Sequence, residues 1–258
     1  MPATEWGWQI TAAELESWIL YEDEEILALD KPGLVVCHPS KHGPWSSLAG
    51  AVREQWKLPR VHLLSRLDRE TSGVVVFAKQ AAAASRLQRA VTRGEVRSVY
   101  LAILRGELTQ SVRVERPLAR DPSAQVSFKQ RTVDPPAGAA AETEFIPLVA
   151  GGGYTLARVL PRRGRLHQIR VHAAWIGRPV VGDKLYGDGE EIYLAFLRHG
   201  YTASLAARLD LPRQALHRLE VEIQSLPRFR APFPPDLDAF CRERLPEEEY
   251  QQARSREF

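Results

Sequence analysis

Cysteine is scarce: Cys37 and Cys241 are the only two in 258 residues. That is too few for a disulfide framework or a four-thiolate metal site. No stretch approaches the roughly eighteen uninterrupted apolar residues of a membrane-spanning helix. The first thirty residues contain no base and eight acids, the reverse of a secretory or organellar targeting peptide. No internal repeat is visible, and no low-complexity linker is long enough to part domains. What is present is ordinary for a globular chain. Hydrophobic residues make up 44%, and 35 Lys+Arg stand against 32 Asp+Glu for a net charge of +3, a mixture that argues against disorder. The length is enough to bury a core without staples. These observations predict a soluble, cytosolic, single-domain protein with no membrane association.

The small net charge hides an asymmetry. Residues 60–97 hold eight Lys and Arg against Asp68, Glu70 and Glu95, and residues 158–184 hold seven against Asp183 alone. If the fold brings them together they form one positive surface that attracts a polyanion. Taken alone, such runs are more often solvated faces, and the 29 Arg to 6 Lys then reflects base composition.

Hydrophobic periodicity predicts strands at Ile26–Leu29 and Leu34–Cys37 around a Lys31-Pro32-Gly33 turn, and a strand buried on both faces at Val74–Ala78. A helix over Gln80–Arg93 ends at Gly94 and carries Arg86, Arg89 and Arg93 as a basic ridge. Further strands are predicted at Val99–Leu104 and Thr155–Leu160, and a half-exposed one at Leu219–Ile223. Further helices are predicted at His167–Trp175 and Asp236–Leu245, the second followed by a frayed acidic end. Asp134–Ala141 reads as a loose loop. Gly151-Gly152-Gly153 lacks the Lys-Ser/Thr of a phosphate loop and reads as a hairpin turn. Strands and helices do not alternate strictly, so the predicted class is α+β: a mixed, largely antiparallel central sheet flanked by helices and loops. Three segments are expected: an acidic extension over 1–18, a catalytic domain over 19–230, and a C-terminal helix with an acidic tail over 231–258.

Two stretches could carry chemistry. In Ser65-Arg66-Leu67-Asp68-Arg69-Glu70-Thr71-Ser72-Gly73 a carboxylate sits between two arginines in a polar loop that abuts an apolar strand. Nearby positive charge keeps such a carboxylate ionised, able to act as nucleophile or general base. An Arg-Asp-Arg run is also a common surface ion-pair cluster. In Arg162-Arg163-Gly164-Arg165-Leu166-His167-Gln168-Ile169-Arg170-Val171-His172 cations gather at a helix start, an arrangement that suits phosphate or carboxylate but equally a basic surface helix.

Taken in order, these stretches resemble the RluA-type pseudouridine synthases. The resemblance runs from about Ile19 to Leu226. It includes Leu20 to Leu34, with Lys31-Pro32-Gly33-Leu34, which looks like the family's opening strand and Lys-Pro-x-Gly turn, and Arg66-Leu67-Asp68-Arg69-Glu70-Thr71-Ser72-Gly73, similar to the family's catalytic signature. It also includes Tyr100-Leu101-Ala102, and Gly164 to His172 followed by Gly182-Asp183-Lys184-Leu185-Tyr186-Gly187. The resemblance implies an isomerase that converts uridines of structured RNA, ribosomal or transfer, to pseudouridine without metal or other cofactor. Asp68 would start glycosidic cleavage, Arg165 would pair with it, and Tyr100 would lie on the uracil and remove the C5 proton. Arg66 would enter the RNA stack, and Ile169 would wall the base. Arg69 and Lys31 are further substrate-binding candidates. A uridine in folded RNA must be everted to reach such a slot, at a cost of a few kcal/mol that basic surface on the flanking phosphates offsets.

Ser65 departs from the family, which usually has His there. The family's common N-terminal S4-type RNA-binding domain is not seen, since about twenty acidic residues precede the catalytic region. RNA selection is then expected from the catalytic domain itself, with Glu190–Arg213 (Tyr193, Phe196, Tyr201 and three arginines) as the specificity element or as plain helical packing. The alternative reading is an RNA-binding module or chaperone that has lost catalysis, supported by Ser65 alone. A carboxylate hydrolase would need a second carboxylate that the sequence does not offer. Cys37, His38, His42, His167 and His172 match no common zinc spacing. Trp6, Trp8 and Trp18 are expected to staple the acidic extension onto the domain. No obligate protein partner is expected, and the protein is taken as a monomer.

Overall fold

A computed structural model describes residues 8–38 and 43–258. Along the chain the elements run α1 (Ala12–Ser17), β1 (Ile19–Glu22), β2 (Ile26–Lys31), α2 (Leu48–Gln55), β3 (His62–Leu63), β4 (Ser72–Ala78), α3 (Ala81–Arg93) and β5 (Val96–Arg105). They continue β6 (Val112–Val114), β7 (Leu118–Arg120), β8 (Gln130–Thr132), β9 (Thr143–Gly151), β10 (Tyr154–Pro161) and α4 (Gln168–Trp175). Last come α5 (Glu190–His199), α6 (Ala203–Leu209), β11 (Leu216–Ile223), β12 (Phe229–Arg230), α7 (Pro235–Arg244) and α8 (Glu247–Glu257). The described chain forms two compact units, residues up to Ser98 with Arg218–Pro232, and Val99–His217 with Phe233–Phe258.

In the first unit β1, β2, β4 and β11 are neighbours, with β3 on β4 and β12 on β11. β2 runs antiparallel to β4 in the register Ile26↔Ala78 to Lys31↔Gly73. Every residue of β4 is buried, as its unbroken Val-Val-Val-Phe-Ala run requires. Ala83, Leu87 and Ala90 form the buried stripe of α3 and pack on Ile26, Ala28, Val74 and Val76, at the helical spacing that puts one face on a sheet. Gly94 ends α3 in the left-handed conformation. Two residues of the expected Trp staple are seen: Trp8 meets Trp18 edge-on at 6.1 Å and donates to Glu14. Trp6 lies outside the described residues.

Leu34–Cys37 is not the strand its apolar run suggests. Leu34 has φ +75, and the carbonyls that a sheet would use are taken otherwise. Val36 and Cys37 accept from Leu48 and Ala49 at the start of α2, Val35 from the Lys31 ammonium and Leu34 from Arg69.

In the second unit β9 and β10 form a long hairpin in which Tyr154 faces Gly151. The two turn residues, Gly152 and Gly153, have φ +60 and +81, the double positive-φ turn that matches strand twist. β10 pairs β5, and β9 pairs β6, both antiparallel; β7 and β8 form a separate antiparallel pair. The expected loose loop is tied down, because Ala139 exchanges two backbone hydrogen bonds with Leu118. The acidic end is not frayed but helical. Tyr250 of α8 is fully buried and donates to Asp238 at 2.5 Å, and Glu257 pairs with Arg158. Burial pushes the Cys241 thiol up to about 12, so this cysteine is a packing group rather than a nucleophile. The class expected from the sequence, α+β with a largely antiparallel sheet, is the one observed.

Candidate active site

In the first unit the loop from Ser65 to Gly73 enters β4. Asp68 is half-buried between Arg66 and Arg69, both exposed. The Thr71 N–H donates to the Asp68 carbonyl at 3.1 Å, closing a turn that leaves Thr71 and Ser72 buried. Gly73 has φ +107, and a Cβ there would lie 2.2 Å from the Arg218 carbonyl oxygen. No other residue fits.

Lys31 was expected to meet RNA, and its placement corrects that. It is wholly buried, and its ammonium donates to the carbonyls of Pro32, Val35 and Arg69 at 2.9, 2.9 and 3.1 Å. A buried ammonium needs its donors satisfied, and here three backbone carbonyls meet the need. Lys31 thus braces the Lys31-Pro32-Gly33 turn against the residue that follows Asp68.

In the second unit Tyr100 is half-buried in β5, opposite Val159 of β10. Arg165 is exposed, with its Nε on the Ala140 carbonyl at 3.1 Å. The Arg165 N–H donates to Gln168 Oε1 at 3.1 Å, and Gln168 Nε2 donates to the Glu142 carbonyl and to Thr143 Oγ1 at 2.8 and 3.0 Å. Thr143 Oγ1 lies 2.8 Å from His172 Nδ1, and His172 Nε2 lies 2.9 Å from the Arg116 carbonyl. A carbonyl only accepts, so His172 carries its proton on Nε2, and the Thr143 hydroxyl donates to Nδ1. A buried relay of donors therefore fixes the backbone of Arg165. Ile169, expected to wall the base, is 6% exposed.

A second network reaches the β7–β8 pair. The Gln130 N–H donates to Tyr186 Oη at 2.9 Å, and Tyr186 Oη lies 2.7 Å from His167 Nδ1. His167 sits at φ +55 ahead of α4, and Phe128, itself exposed, approaches its ring edge-on at 5.8 Å. Arg170 and Asp183 form a buried ion pair at 2.6 Å. The sequence singled out the segments holding Gln168 and Tyr186 but not their roles. Thr143 gave no signal.

Burial lowers the His172 pKa from its ordinary 6.5. The imidazole is neutral in the fold, so the stability it lends is full above about pH 6.5 and is lost as pH falls through the lowered folded value. In a titration followed by NMR the His172 ring resonances should change at a lower pH than those of an ordinary imidazole. His172→Gln should flatten the decline in thermal stability on acidification below about pH 6.5.

Many of the basic residues that suggested a polyanion surface have local acidic partners. Arg86 pairs with Glu25, Arg158 with Glu257 and Arg162 with Glu142. Glu190–Arg213 is mostly helical: Ile192, Leu205 and Leu209 form its own core, and Arg213 is buried against Asp236. It still exposes Leu197 and Tyr201. Among the described residues no three His, Cys, Asp or Glu side chains gather as a metal site, and no helix is long and apolar enough to cross a membrane. His42 lies outside them.

The loop of Asp68 lies in the first unit, and Tyr100 and Arg165 lie in the second. The family model described as RNA pseudouridylate synthase matches residues 25–175. The chain is 34% identical over 229 residues to a Bacillus subtilis protein described as the uncharacterized RNA pseudouridine synthase YjbO, covering 85% of this chain and 73% of that one. It is 32% identical over 235 residues to the ribosomal large subunit pseudouridine synthase D of Haemophilus ducreyi, covering 85% and 68%. The solved structure of human RNA pseudouridylate synthase domain containing 1 superposes with a TM-score of 0.65 at 27% identity over 86% of each chain. The chain belongs to the RNA pseudouridylate synthase family and has that family's fold and its activity on RNA.

Proposed function

We propose that this protein isomerises one or more uridines of large-subunit ribosomal RNA, with Asp68 as the reacting carboxylate. The observation that carries the reading is the turn holding Asp68 half-buried between exposed Arg66 and Arg69, in a chain of this family. The choice of RNA is supported by relatives such as the ribosomal large subunit pseudouridine synthase D of Haemophilus ducreyi. Arg66 and Arg69 grip the strand where the uridine leaves its stack. Asp68 acts at the ribose, by adding to C1′ or by taking a C2′ proton; both routes use an ionised carboxylate and both break C1′–N1. The uracil turns while held against Tyr100 and Ile169; C5 bonds to C1′ as the Asp68–C1′ bond breaks or as Asp68 returns its proton to C2′, the C5 proton leaves through Tyr100, and N1 takes up a proton. Product and substrate are isomers, so no oxidant, reductant or co-substrate enters. This reading gives Arg165 the task of keeping Asp68 charged. The same reading has the protein work in the cytoplasm as a monomer.

Pseudouridine mapping across total RNA from cells with and without the protein tests the reading. The expected result is loss of pseudouridine at discrete large-subunit ribosomal positions, restored by the purified protein. Loss confined to transfer RNA would overturn the choice of RNA. An unchanged map would overturn the proposal.

A further inference from the structure

Arg218 lies in β11 and is 3% exposed. Its Nη1 donates to Ser65 Oγ and its Nη2 to Ser98 Oγ, each at 2.7 Å. Ser65 stands three residues before Asp68. Ser98 stands two before Tyr100 on β5, and side chains two apart leave a strand on the same face. The backbone of Arg218 meets the far end of the Asp68 loop, since only a glycine at 73 leaves room for its carbonyl oxygen and its nitrogen, 2.2 and 2.7 Å from where a Cβ would be. One residue therefore holds both ends of the segment from Ser65 to Gly73. Burying a guanidinium carries a large desolvation penalty, and an apolar side chain would fill a strand position without it. The cation is spent on fixed donor geometry.

We infer that Arg218 is a positioning residue for the isomerisation, clamping the loop that carries Asp68 at both ends and tying its start to β5. This rests on the assignment of Asp68 as the reacting carboxylate. It also gives Ser65, where the family usually has His, a use: a hydroxyl accepts a guanidinium N–H at any pH, whereas a protonated imidazole has no lone pair to offer. A clamp of this kind acts on the aim of the carboxylate and not on the grip on RNA, so its loss falls on kcat. Displacing a reacting group by about 1 Å costs on the order of 100-fold in rate.

The test is steady-state tritium release from RNA carrying 5-³H-uridine, with kcat and KM measured for the wild-type protein, Asp68→Asn, Arg218→Met, Arg218→Lys and Ser65→Ala. In Arg218→Met kcat should fall about 100-fold with KM within about twofold. Arg218→Lys, which keeps a donor to one hydroxyl, should recover about tenfold of that loss, and Ser65→Ala should lower kcat about tenfold. Should Arg218→Met fail to fold by circular dichroism, kcat of Ser65→Ala decides alone. An active wild-type protein and inactive Asp68→Asn, beside folded Arg218→Met or Ser65→Ala with unaltered kcat, or with the loss carried in KM, overturn the clamp and leave the assignment of Asp68 standing. A wild-type protein that releases no tritium, or an Asp68→Asn variant as active as wild type, removes the assignment and the clamp with it.

Discussion

Asp68→Asn stops tritium release from 5-³H-uridine RNA, lowering turnover by more than about 10³-fold, while RNA binding survives. The two halves of this result follow from different parts of the loop. The turn is closed by the Thr71 N–H on the backbone carbonyl of residue 68, a bond that an asparagine keeps. Arg66 and Arg69 remain exposed and keep their charge, so affinity and its salt dependence should change little. What the amide lacks is the charged oxygen that adds to carbon or takes a proton. A nitrocellulose filter or gel-shift titration beside the release assay separates the two. Release within about tenfold of wild type would exclude the carboxylate from the chemistry.

The second large effect concerns stability. Asp183→Ala should cost about 3–5 kcal/mol, because it strands a buried guanidinium; in a chain of this size that lowers Tm by about 10 °C. The Asp183 carboxylate is buried and accepts from Arg170 Nε and Nη2 at 2.6 and 2.8 Å, and from the N–H groups of Leu185 and Tyr186 at 2.9 and 3.1 Å. Burial alone would raise its pKa, but the Arg170 charge and these four hydrogen bonds outweigh it and hold the group below its ordinary 3.8. The sign follows: the contribution is present above the unfolded carboxyl's value and is lost as pH falls through the lower folded one. Thermal unfolding by circular dichroism, at neutral pH and again below pH 4, measures both. A Tm within about 2 °C of wild type would show that the pair contributes little.

Sequence alone placed the elements whose signals are local. The apolar run Val74–Ala78, the alanine-rich helix closed by Gly94 and the Gly152-Gly153 turn all stand as read, because each is decided by neighbours within a few residues. Leu34–Cys37 misled, because its carbonyls are claimed by α2 and by the side chains of Lys31 and Arg69, which no local window contains. Lys31 misled for the same reason, since a lysine next to a turn reads as a surface charge until three carbonyls are known to surround it. Asp68, Tyr100 and Arg165 were singled out by a pattern of motifs, whereas the relay from Gln168 through Thr143 and His172 to Arg116 joins three segments of chain. Arg218 was the least legible. Period-two alternation sets it on the same face of β11 as Glu220 and Glu222, which are half-exposed, and predicts solvent for a side chain that is buried.

Residues 99–217 lie between the two stretches of chain that make up the first unit. During synthesis the segment bearing Asp68 leaves the ribosome long before Arg218 does, and contacts this distant in sequence form slowly. Until β11 has been made, the loop that carries Asp68 lacks the contacts of Arg218 with Ser65 and Gly73. The hydrogen bond from Arg218 to Ser65 is therefore among the last contacts of the first unit to form.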